Sequence, residues 1–287
     1  MSLNELVGQV TTLTVAREAE FGYFLTDGNE DVLLHKNETK QDCQIDESLD
    51  VFLYTDSKGR LSASTFIPEV SVGKYGWVKV TDTNPGLGVF LDIGIQKDIL
   101  LGVQDLPAHR SVWPEIGDML YMTLRADRNY LLYARLASDQ VIQSISTKAT
   151  RQDFNKNIQG YIYRTAKVGS WIYTLEGLKG FIHESQRQTE PRLGEKVEGR
   201  VIDVKEDGTI NVSLLGRKQE SLDQDAIRIY EYLLSRNGAM PYNDKSMPED
   251  IQERFNLSKG AFKRALGTLM KQGKVYQEGS WTYAKKE

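Results

Sequence analysis

Short runs of alternating apolar and polar residues fill the first three quarters of the chain, and a period of two is typical of strands with one buried face. Turn-forming residues separate these runs, for example at Asp56–Gly59 and Glu206–Gly208. Five runs make a unit of about 60 to 70 residues. The pattern therefore favours a small closed β-barrel.

The unit occurs three times, because three segments align on a glycine that is followed two positions later by an aromatic residue. They are Phe21–Phe24, Leu87–Phe90 and Val168–Trp171. The last residue of the next apolar run is His35, Gly102 or His183. It follows the aromatic residue by 11 positions in the first copy (24 to 35) and by 12 in the others (90 to 102, 171 to 183). We predict three five-stranded barrels in series, over residues 1–64, 65–138 and 139–216, with a linker at about 138–155 opening the third.

From about residue 220 the apolar period becomes helical. A first helix is predicted over Asp225–Asn237, with one apolar stripe: Ala226, Ile229, Tyr230, Leu233 and Leu234. A capping box at Ser246–Glu249 predicts the start of a second helix. Ser258 is the expected N-cap of a third helix, whose stripe is Phe262, Ala265, Leu266, Leu269 and Met270. With a hairpin over residues 274–283, residues 217–287 have the winged helix-turn-helix layout, and the whole chain is mainly β with an α+β end.

Composition is that of a globular protein, with 40% apolar and 26% charged residues among 287. The chain contains no apolar run of about 18 residues. Residues 1–10 lack the basic start and apolar core of a secretory signal, and Cys43 has no second cysteine with which to pair. We therefore expect a cytoplasmic protein.

The net charge of −4 hides a gradient along the chain. Residues 1–64 carry 5 basic and 12 acidic groups, a net of −7, whereas residues 216–287 carry 13 and 10, a net of +3. Distant charges are screened over about 8 Å, so the total says little about any one surface. The gradient is weak support for a nucleic-acid contact in the later half of the chain.

The elements of the unit follow one order: a glycine-led first strand, an aromatic-Gly-x-aromatic run, an apolar pair followed by histidine, and Asp-x-x-x-Arg near the end. This order resembles the S1 RNA-binding domain, an OB-fold barrel. The RNA face of that family uses two aromatic residues, a histidine, an aspartate and an arginine. The first copy matches at every place, with Phe21, Phe24, His35, Asp56 and Arg60. The second copy keeps Phe90 and Asp127, and the third keeps Trp171 and His183. The resemblance implies one complete RNA face and two partial ones.

These residue types suit single-stranded RNA, because an aromatic ring offers a stacking platform of roughly 1–3 kcal/mol per base. Histidine donates to a phosphate or a 2′-hydroxyl, and arginine presents a planar fork to a phosphate. The third copy adds further aromatic and basic candidates, namely Tyr161, Arg164, Lys167, Tyr173 and Lys179. We expect copies one and three to make the main contacts. In the opposing interpretation Phe24, Phe90 and Trp171 are core residues and the histidines are structural.

The third helix of the winged-helix region carries Lys263, Arg264 and Lys271 away from its apolar stripe, where a recognition helix contacts nucleic acid. Three S1-like barrels followed by a winged helix resemble the bacterial conserved virulence factor B family over nearly the whole chain. That resemblance implies a regulator of gene expression that binds RNA without catalysis. The sequence contains no nucleophile elbow and no phosphate-binding Gly-Lys-Ser or Gly-Lys-Thr, and it predicts no metal or cofactor. Two alternatives stay open: a DNA-binding transcription regulator, and a protein-interaction scaffold on the ribosome or polymerase.

Overall fold

The computed structural model of the chain describes residues 2–216 and 218–285, and it leaves the side chains of residues 218–223 undescribed. The chain divides into two compact units, residues 1–214 and residues 215–287. Among the described residues, no helix is long and apolar enough to cross a membrane.

The first unit consists of three closed five-stranded barrels, as predicted. The first barrel contains β1 (Val10–Ala19), β2 (Gly22–Thr26), β3 (Asp31–His35), β4 (Ser48–Thr55) and β5 (Leu61–Ser64). The second contains β6 (Gly76–Asn84), β7 (Gly88–Asp92), β8 (Ile99–Gly102), β9 (Met119–Ala126) and β10 (Leu132–Leu136). The third contains β11 (Asn157–Ala166), β12 (Gly169–Thr174), β13 (Lys179–His183), β14 (Lys196–Val204) and β15 (Ile210–Ser213). Our division of the chain at residues 64, 138 and 216 stays a prediction.

Each barrel closes in the same order, which is first, second, third, fifth and fourth strand. The third strand pairs with the fifth in parallel, as at Leu33 beside Ser62. The other neighbours are antiparallel. Residues that alternate along each strand fill the interior, for example Val51 and Leu53 on β4. The intervening Phe52 and Tyr54 are also buried, because they pack against the core of the second barrel.

The predicted linker is an ordered part of the third barrel. Residues Asp139–Ile145 form α1, which Ser138 caps by accepting a hydrogen bond from the Val141 N–H. The side chain of Ile142 is fully buried. Asp139 accepts hydrogen bonds from the Tyr163 hydroxyl (2.9 Å) and from Lys179 Nζ (2.7 Å). Sequence analysis missed this helix because only two turns form, with one buried residue.

The second unit has the predicted three helices and hairpin. Its elements are α2 (Lys218–Ser235), β16 (Ala239–Met240), α3 (Pro248–Phe255), α4 (Lys259–Lys271), β17 (Val275–Glu278) and β18 (Trp281–Ala284). The short strand β16 joins the hairpin to give a sheet in the order β16-β18-β17. One face of this sheet covers the helices through Met240 and Val275.

Three details of the helix predictions were wrong. The side chains of Leu234 and Met270 are 51% and 45% exposed, because at 100° per residue each lies about 80° from the centre of its stripe. The capping box is not formed: α3 begins at Pro248 after Met247, and the Ser246 hydroxyl instead accepts a hydrogen bond from the Asn243 N–H.

Candidate nucleic-acid interface

The outward face of the first barrel presents Phe24 on β2. The register places Phe24 opposite Arg17 on β1 and opposite Leu33 on β3. A bulge in β1 between Val15 and Arg17 turns the Arg17 side chain onto this face. Its guanidinium carbon lies 3.6 Å from the centroid of the Phe24 ring. Ring and guanidinium therefore form one cation–π platform, and the guanidinium also lies 3.4 Å from Asp31 Oδ2.

The third barrel repeats this arrangement. A bulge in β11 between Ile162 and Arg164 places Arg164 opposite Trp171, and the guanidinium carbon lies 4.4 Å from the indole ring. Phe181 on β13 extends the platform, because its ring lies 5.0 Å from that of Trp171. In the second barrel the bulge is kept and Phe90 holds the ring position, but Asp82 stands where the other barrels have arginine.

The three aromatic residues are surface residues, although each could have been core by sequence. Phe24, Phe90 and Trp171 are all partly exposed, while their strand neighbours Leu25 and Leu91 are fully buried. The preceding aromatic residue of the first copy, at the turn before β2, is more exposed still: Phe21 is 50% exposed. The geometry is that of a platform, and the binding role of these rings stays a prediction.

A glycine at the start of the second strand brings two backbones together. A Cβ atom at Gly22 would lie 2.1 Å from the Leu34 carbonyl oxygen, and one at Gly88 would lie 2.0 Å from that of Leu101. No side chain fits at this distance. The glycine that aligned the three copies is therefore required by the strand pair itself.

His35 and His183 each cap a short 3₁₀ helix. The Asn37 N–H donates to Nδ1 of His35 (3.2 Å), and the Ser185 N–H donates to Nδ1 of His183 (3.2 Å). In a neutral ring whose Nδ1 accepts, the proton lies on Nε2, which is then a donor. One ring nitrogen thus has a structural role, and the other is left to donate to a phosphate or a hydroxyl.

Asp56 and Arg60, two of the predicted site residues, form an ion pair. Asp56 Oδ2 accepts from Arg60 Nε (3.0 Å) and Nη2 (2.7 Å), while Oδ1 accepts from the backbone N–H groups of Lys58 and Arg60. Burial by itself raises the pKa of Asp56, but these hydrogen bonds outweigh it and hold the pKa below its usual value. The arginine fork, 63% exposed, is held at the edge of the platform.

A groove of about 610 Å³ joins the faces of the first two barrels. His35 and Arg60 line it on one side, and Phe90 and Lys97 line it on the other. Lys97 Nζ donates to the Thr55 carbonyl oxygen (2.8 Å), and burial lowers the pKa of this amine. The aromatic residue of the second barrel therefore adjoins the complete face of the first.

The second barrel has further surface groups that the sequence alignment missed. Leu100 pairs with both Phe90 and Tyr133, so that these side chains follow one another across the outward face. Arg125 lies over Tyr133, with its guanidinium carbon 5.9 Å from the ring centroid, and pairs with Asp105 (2.8 Å). The barrel thus contains an aromatic and arginine pair at a different place, and its arginine is paired with a carboxylate, as Arg17 is with Asp31 (3.4 Å).

Three predicted residues of the third barrel have partners within the protein. Tyr161 and Tyr173 pack against Trp77 of the second barrel, at 4.9 and 6.0 Å between ring centroids. Lys179 Nζ donates to Asp139 and to Gln143 (3.0 Å), and its side chain is only 12% exposed. The structure therefore groups Arg164, Trp171, Phe181 and His183 on one face, with Lys167 exposed on the adjoining turn.

In the second unit, α4 exposes the three basic residues predicted on it. Lys263, Arg264 and Lys271 are exposed, while Phe262 and Leu266 of the same helix are buried. Gly267 lies on the exposed side, and a Cβ atom added to it would meet no other atom of the described residues within 4 Å. This surface is open to a partner, and its use in nucleic-acid binding stays a prediction.

Four family models match successive parts of the chain. An S1 domain model matches residues 7–66, and a CvfB first S1-like domain model matches residues 75–135. The second domain of virulence regulatory factor CvfB matches residues 142–216, and a CvfB-like winged helix domain matches residues 227–283.

Full-length relatives agree with these models. The conserved virulence factor B of Staphylococcus aureus (strain USA300) is 38% identical over 272 residues, covering 93% of this chain and 90% of the relative. The chain belongs to the conserved virulence factor B family. An uncharacterized protein of Bacillus subtilis (strain 168), YitL, is 49% identical over 279 residues, covering 97% and 94%.

A solved protein of similar architecture comes from Streptococcus pneumoniae TIGR4, and it is described as a multidomain protein with nucleic acid binding domains. It shares 35% sequence identity, with a TM-score of 0.68, and the match covers 99% of this chain and 100% of that one. This chain of the conserved virulence factor B family is accordingly built from domains of the S1-like and winged-helix types, which are nucleic-acid-binding types.

The most informative residue missed in this family member is Arg17. The alignment of glycines and aromatic residues does contain a signal for it, since Arg17 and Arg164 both precede their aromatic partner by seven residues (17 to 24, 164 to 171). Only the structure shows that a bulge in the first strand places both arginines opposite the ring.

Proposed function

We propose that this protein binds single-stranded RNA without catalysing a reaction, and that it acts in the cytoplasm as a post-transcriptional regulator of gene expression. The observation that carries the proposal is the repeated platform of a guanidinium over an aromatic ring, Arg17 over Phe24 and Arg164 over Trp171. Bases of a single strand stack on rings and on arginine planes, and every base has such a face.

The surroundings of both platforms suit a phosphodiester strand. In the first barrel, His35 and the Arg60 fork line a groove with Phe90, and both offer donors to a strand. In the third barrel, His183 lies beside Phe181, with 6.3 Å between ring centroids. Duplex nucleic acid keeps its bases stacked on each other, so exposed rings discriminate in favour of a single strand.

The proposal is tested with Phe24→Ala and Trp171→Ala in the full chain. Each variant removes one stacking platform, so we expect the dissociation constant for a labelled oligoribonucleotide to rise about tenfold per variant, measured by fluorescence anisotropy at low salt. Phe154→Ala is the matched control. Phe154 is 58% exposed and lies just before the first residue of β11, whereas Arg164 lies near the last.

Unchanged affinity in both variants would refute the stacking model. A salt titration then adds a second measurement, since log affinity falls by about 0.7 per phosphate contact per log unit of salt on a single strand. A complete absence of nucleic-acid binding at low salt would favour the protein-interaction scaffold instead.

A second candidate function is binding of duplex DNA through α4, which the exposed Lys263, Arg264 and Lys271 favour. Changing all three to Gln should weaken binding of a duplex more than that of single-stranded RNA if this helix enters a groove. Direct competition between duplex DNA and single-stranded RNA for the unmodified protein distinguishes the two candidates.

A further inference from the structure

Two loops of the second barrel hold the turn of the first barrel that carries Arg60. Thr55 ends β4, and Asp56 begins the turn to β5. Lys97, in the loop between β7 and β8, donates from Nζ to the carbonyl oxygens of Thr55 (2.8 Å) and Asp56 (3.4 Å). The Thr55 hydroxyl donates to the carbonyl oxygen of Tyr130 (2.6 Å), which belongs to the turn between β9 and β10. The second barrel therefore contacts this turn at two points.

The loop that carries Lys97 is itself fixed to the first barrel. The Gln96 N–H donates to Glu38 Oε1 (2.7 Å), and the Tyr54 hydroxyl donates to the same oxygen (3.1 Å). Glu38 is only 1% exposed, so these hydrogen bonds are shielded from water. Because the residue before it is anchored in this way, Lys97 reaches the turn from a fixed position.

Adhesion between the two barrels does not require the Lys97 amine. The buried side chains of Phe52 and Tyr54 already pack against the core of the second barrel. Moving an ammonium group away from water costs free energy unless polar groups replace the water. Burial accordingly lowers the pKa of Lys97, and the carboxylate of Asp56 opposes that shift. The amine thus lies where its hydrogen bonds fix a backbone, which apolar packing alone would not do.

The turn held by Lys97 links two cations through one residue. Lys97 contacts the backbone of Asp56, and the Arg60 fork donates to the side chain of Asp56. A shift of the Asp56 backbone therefore moves the fork, which lines the groove between the barrels. The corresponding turns of the other two copies have Leu131 and Thr209 in place of Arg60. The contact from Lys97 thus acts on the copy that has arginine at this place.

We propose that Lys97 is a positioning residue for RNA binding by the first barrel: it fixes the Asp56 backbone and thereby directs the Arg60 fork at a phosphate of a strand in the groove. The inference rests on the proposed function, because it requires that the first barrel binds RNA. Two of the three N–H donors of Lys97 are taken by carbonyl oxygens, so its own contact with a phosphate is not part of the proposal. The second barrel then contributes to binding through the first.

The test is a double-mutant cycle in the full chain, measured by fluorescence anisotropy with a labelled oligouridylate. Lys97→Met keeps the apolar stem and loses the amine, and we expect the dissociation constant to rise about fivefold, as for Arg60→Gln. In the Arg60→Gln background, Lys97→Met should have no further effect, because the group that it positions is gone. Lys97→Arg keeps a charge and donors and should restore most of the affinity. Lys74→Met, exposed in the loop before β6, controls for the loss of one positive charge.

Hydrogen exchange provides a second measurement that needs no RNA. The backbone N–H groups of Lys58 and Arg60 donate to Asp56 Oδ1 (2.8 and 2.9 Å), so their exchange reports opening of the turn. In Lys97→Met we expect the peptide that contains residues 56–60 to exchange faster than in the unmodified protein. In Lys97→Arg it should exchange at nearly the original rate. Thermal unfolding of both variants checks that the fold is kept.

The outcomes separate this inference from the proposed function. Faster exchange in Lys97→Met, with an effect on affinity that disappears in the Arg60→Gln background, supports the inference. Unchanged exchange, or faster exchange with unchanged affinity, overturns it and leaves the barrel proposal standing. An equal effect of Lys97→Met in both backgrounds would make Lys97 a direct phosphate contact and also overturn it. If Phe24→Ala and Arg60→Gln both leave the affinity unchanged, the proposed function fails for the first barrel, and the inference fails with it.

Discussion

Asp82→Arg should turn the second barrel into a better RNA-binding surface. Asp82 lies opposite Phe90 after a bulge, at the place where Arg17 faces Phe24 and Arg164 faces Trp171. Its side chain is exposed and accepts a local hydrogen bond from the Thr83 N–H (2.8 Å). The substitution therefore costs little stability and introduces the guanidinium that the other two barrels have.

The magnitude follows from two contributions. A guanidinium that stacks on a base of the bound RNA contributes about 0.5–1 kcal/mol, as it does over an exposed aromatic ring. A unit charge about 7 Å from a phosphate contributes about 0.6 kcal/mol in water, and a screening length of about 8 Å reduces this by roughly half. Exchanging a negative for a positive charge counts twice, so the sum is about 1 kcal/mol or slightly more. We expect a dissociation constant about fivefold lower.

Fluorescence anisotropy with a labelled oligoribonucleotide at several salt concentrations measures this gain. The salt dependence should steepen by about 0.7 for one added phosphate contact. Glu69→Arg is the control, because Glu69 is exposed in the loop before β6 and its replacement changes the net charge equally. Equal gains in both variants would show a diffuse charge effect, and an unchanged affinity of Asp82→Arg would refute the role assigned to the repeated arginine.

Three further predictions concern single residues. Gly22→Ala should lower the free energy of unfolding by several kcal/mol in denaturant titrations, because its Cβ would lie 2.1 Å from a carbonyl oxygen. Gly59→Ala is the control: Gly59 has φ 76° but lies in open space, so the loss should be only about 1 kcal/mol. His183→Asn keeps an acceptor for the helix cap but loses the ring and the reach of its Nε2 donor, so stability should be kept and RNA affinity should fall. His183→Ala should reduce both. Burial raises the pKa of Asp139, but hydrogen bonds from Lys179 and Tyr163 outweigh burial and hold the pKa below its usual value. The resulting stabilisation is present above about pH 4 and is lost as pH falls through the folded-state pKa, so the difference in stability from Asp139→Asn should shrink below that pH; a constant difference would contradict the assignment.

The predicted barrels and winged helix were confirmed because their signals are local. Short stretches of sequence contain all three signals: the alternation of strand residues, turn residues such as Asp56 and Gly59, and a glycine that no other residue can replace. Leu234 and Met270 were misplaced for the opposite reason: they lie at the edge of a helical stripe, where a neighbouring element decides whether a side chain is covered.

The candidate site divides in the same way. Matching offsets in the sequence identify four residues that the structure places on outward faces, namely Phe24, Trp171, Asp56 and Arg60. Whether Lys179 is free cannot be read from its neighbours in sequence, because its partner Asp139 lies 40 residues earlier.

The sequence by itself thus determined the repeat, the number of strands in each copy and most of the candidate rings, because these depend on residues close together in the chain. Tertiary structure alone decided which groups meet. Bulges place Arg17 and Arg164 over their rings, packing places Phe90 across a groove from His35, and α2 forms a groove with Tyr276 and Tyr283. Contacts between distant segments depend on how whole strands and helices pack, and this packing cannot be predicted from any short stretch of sequence.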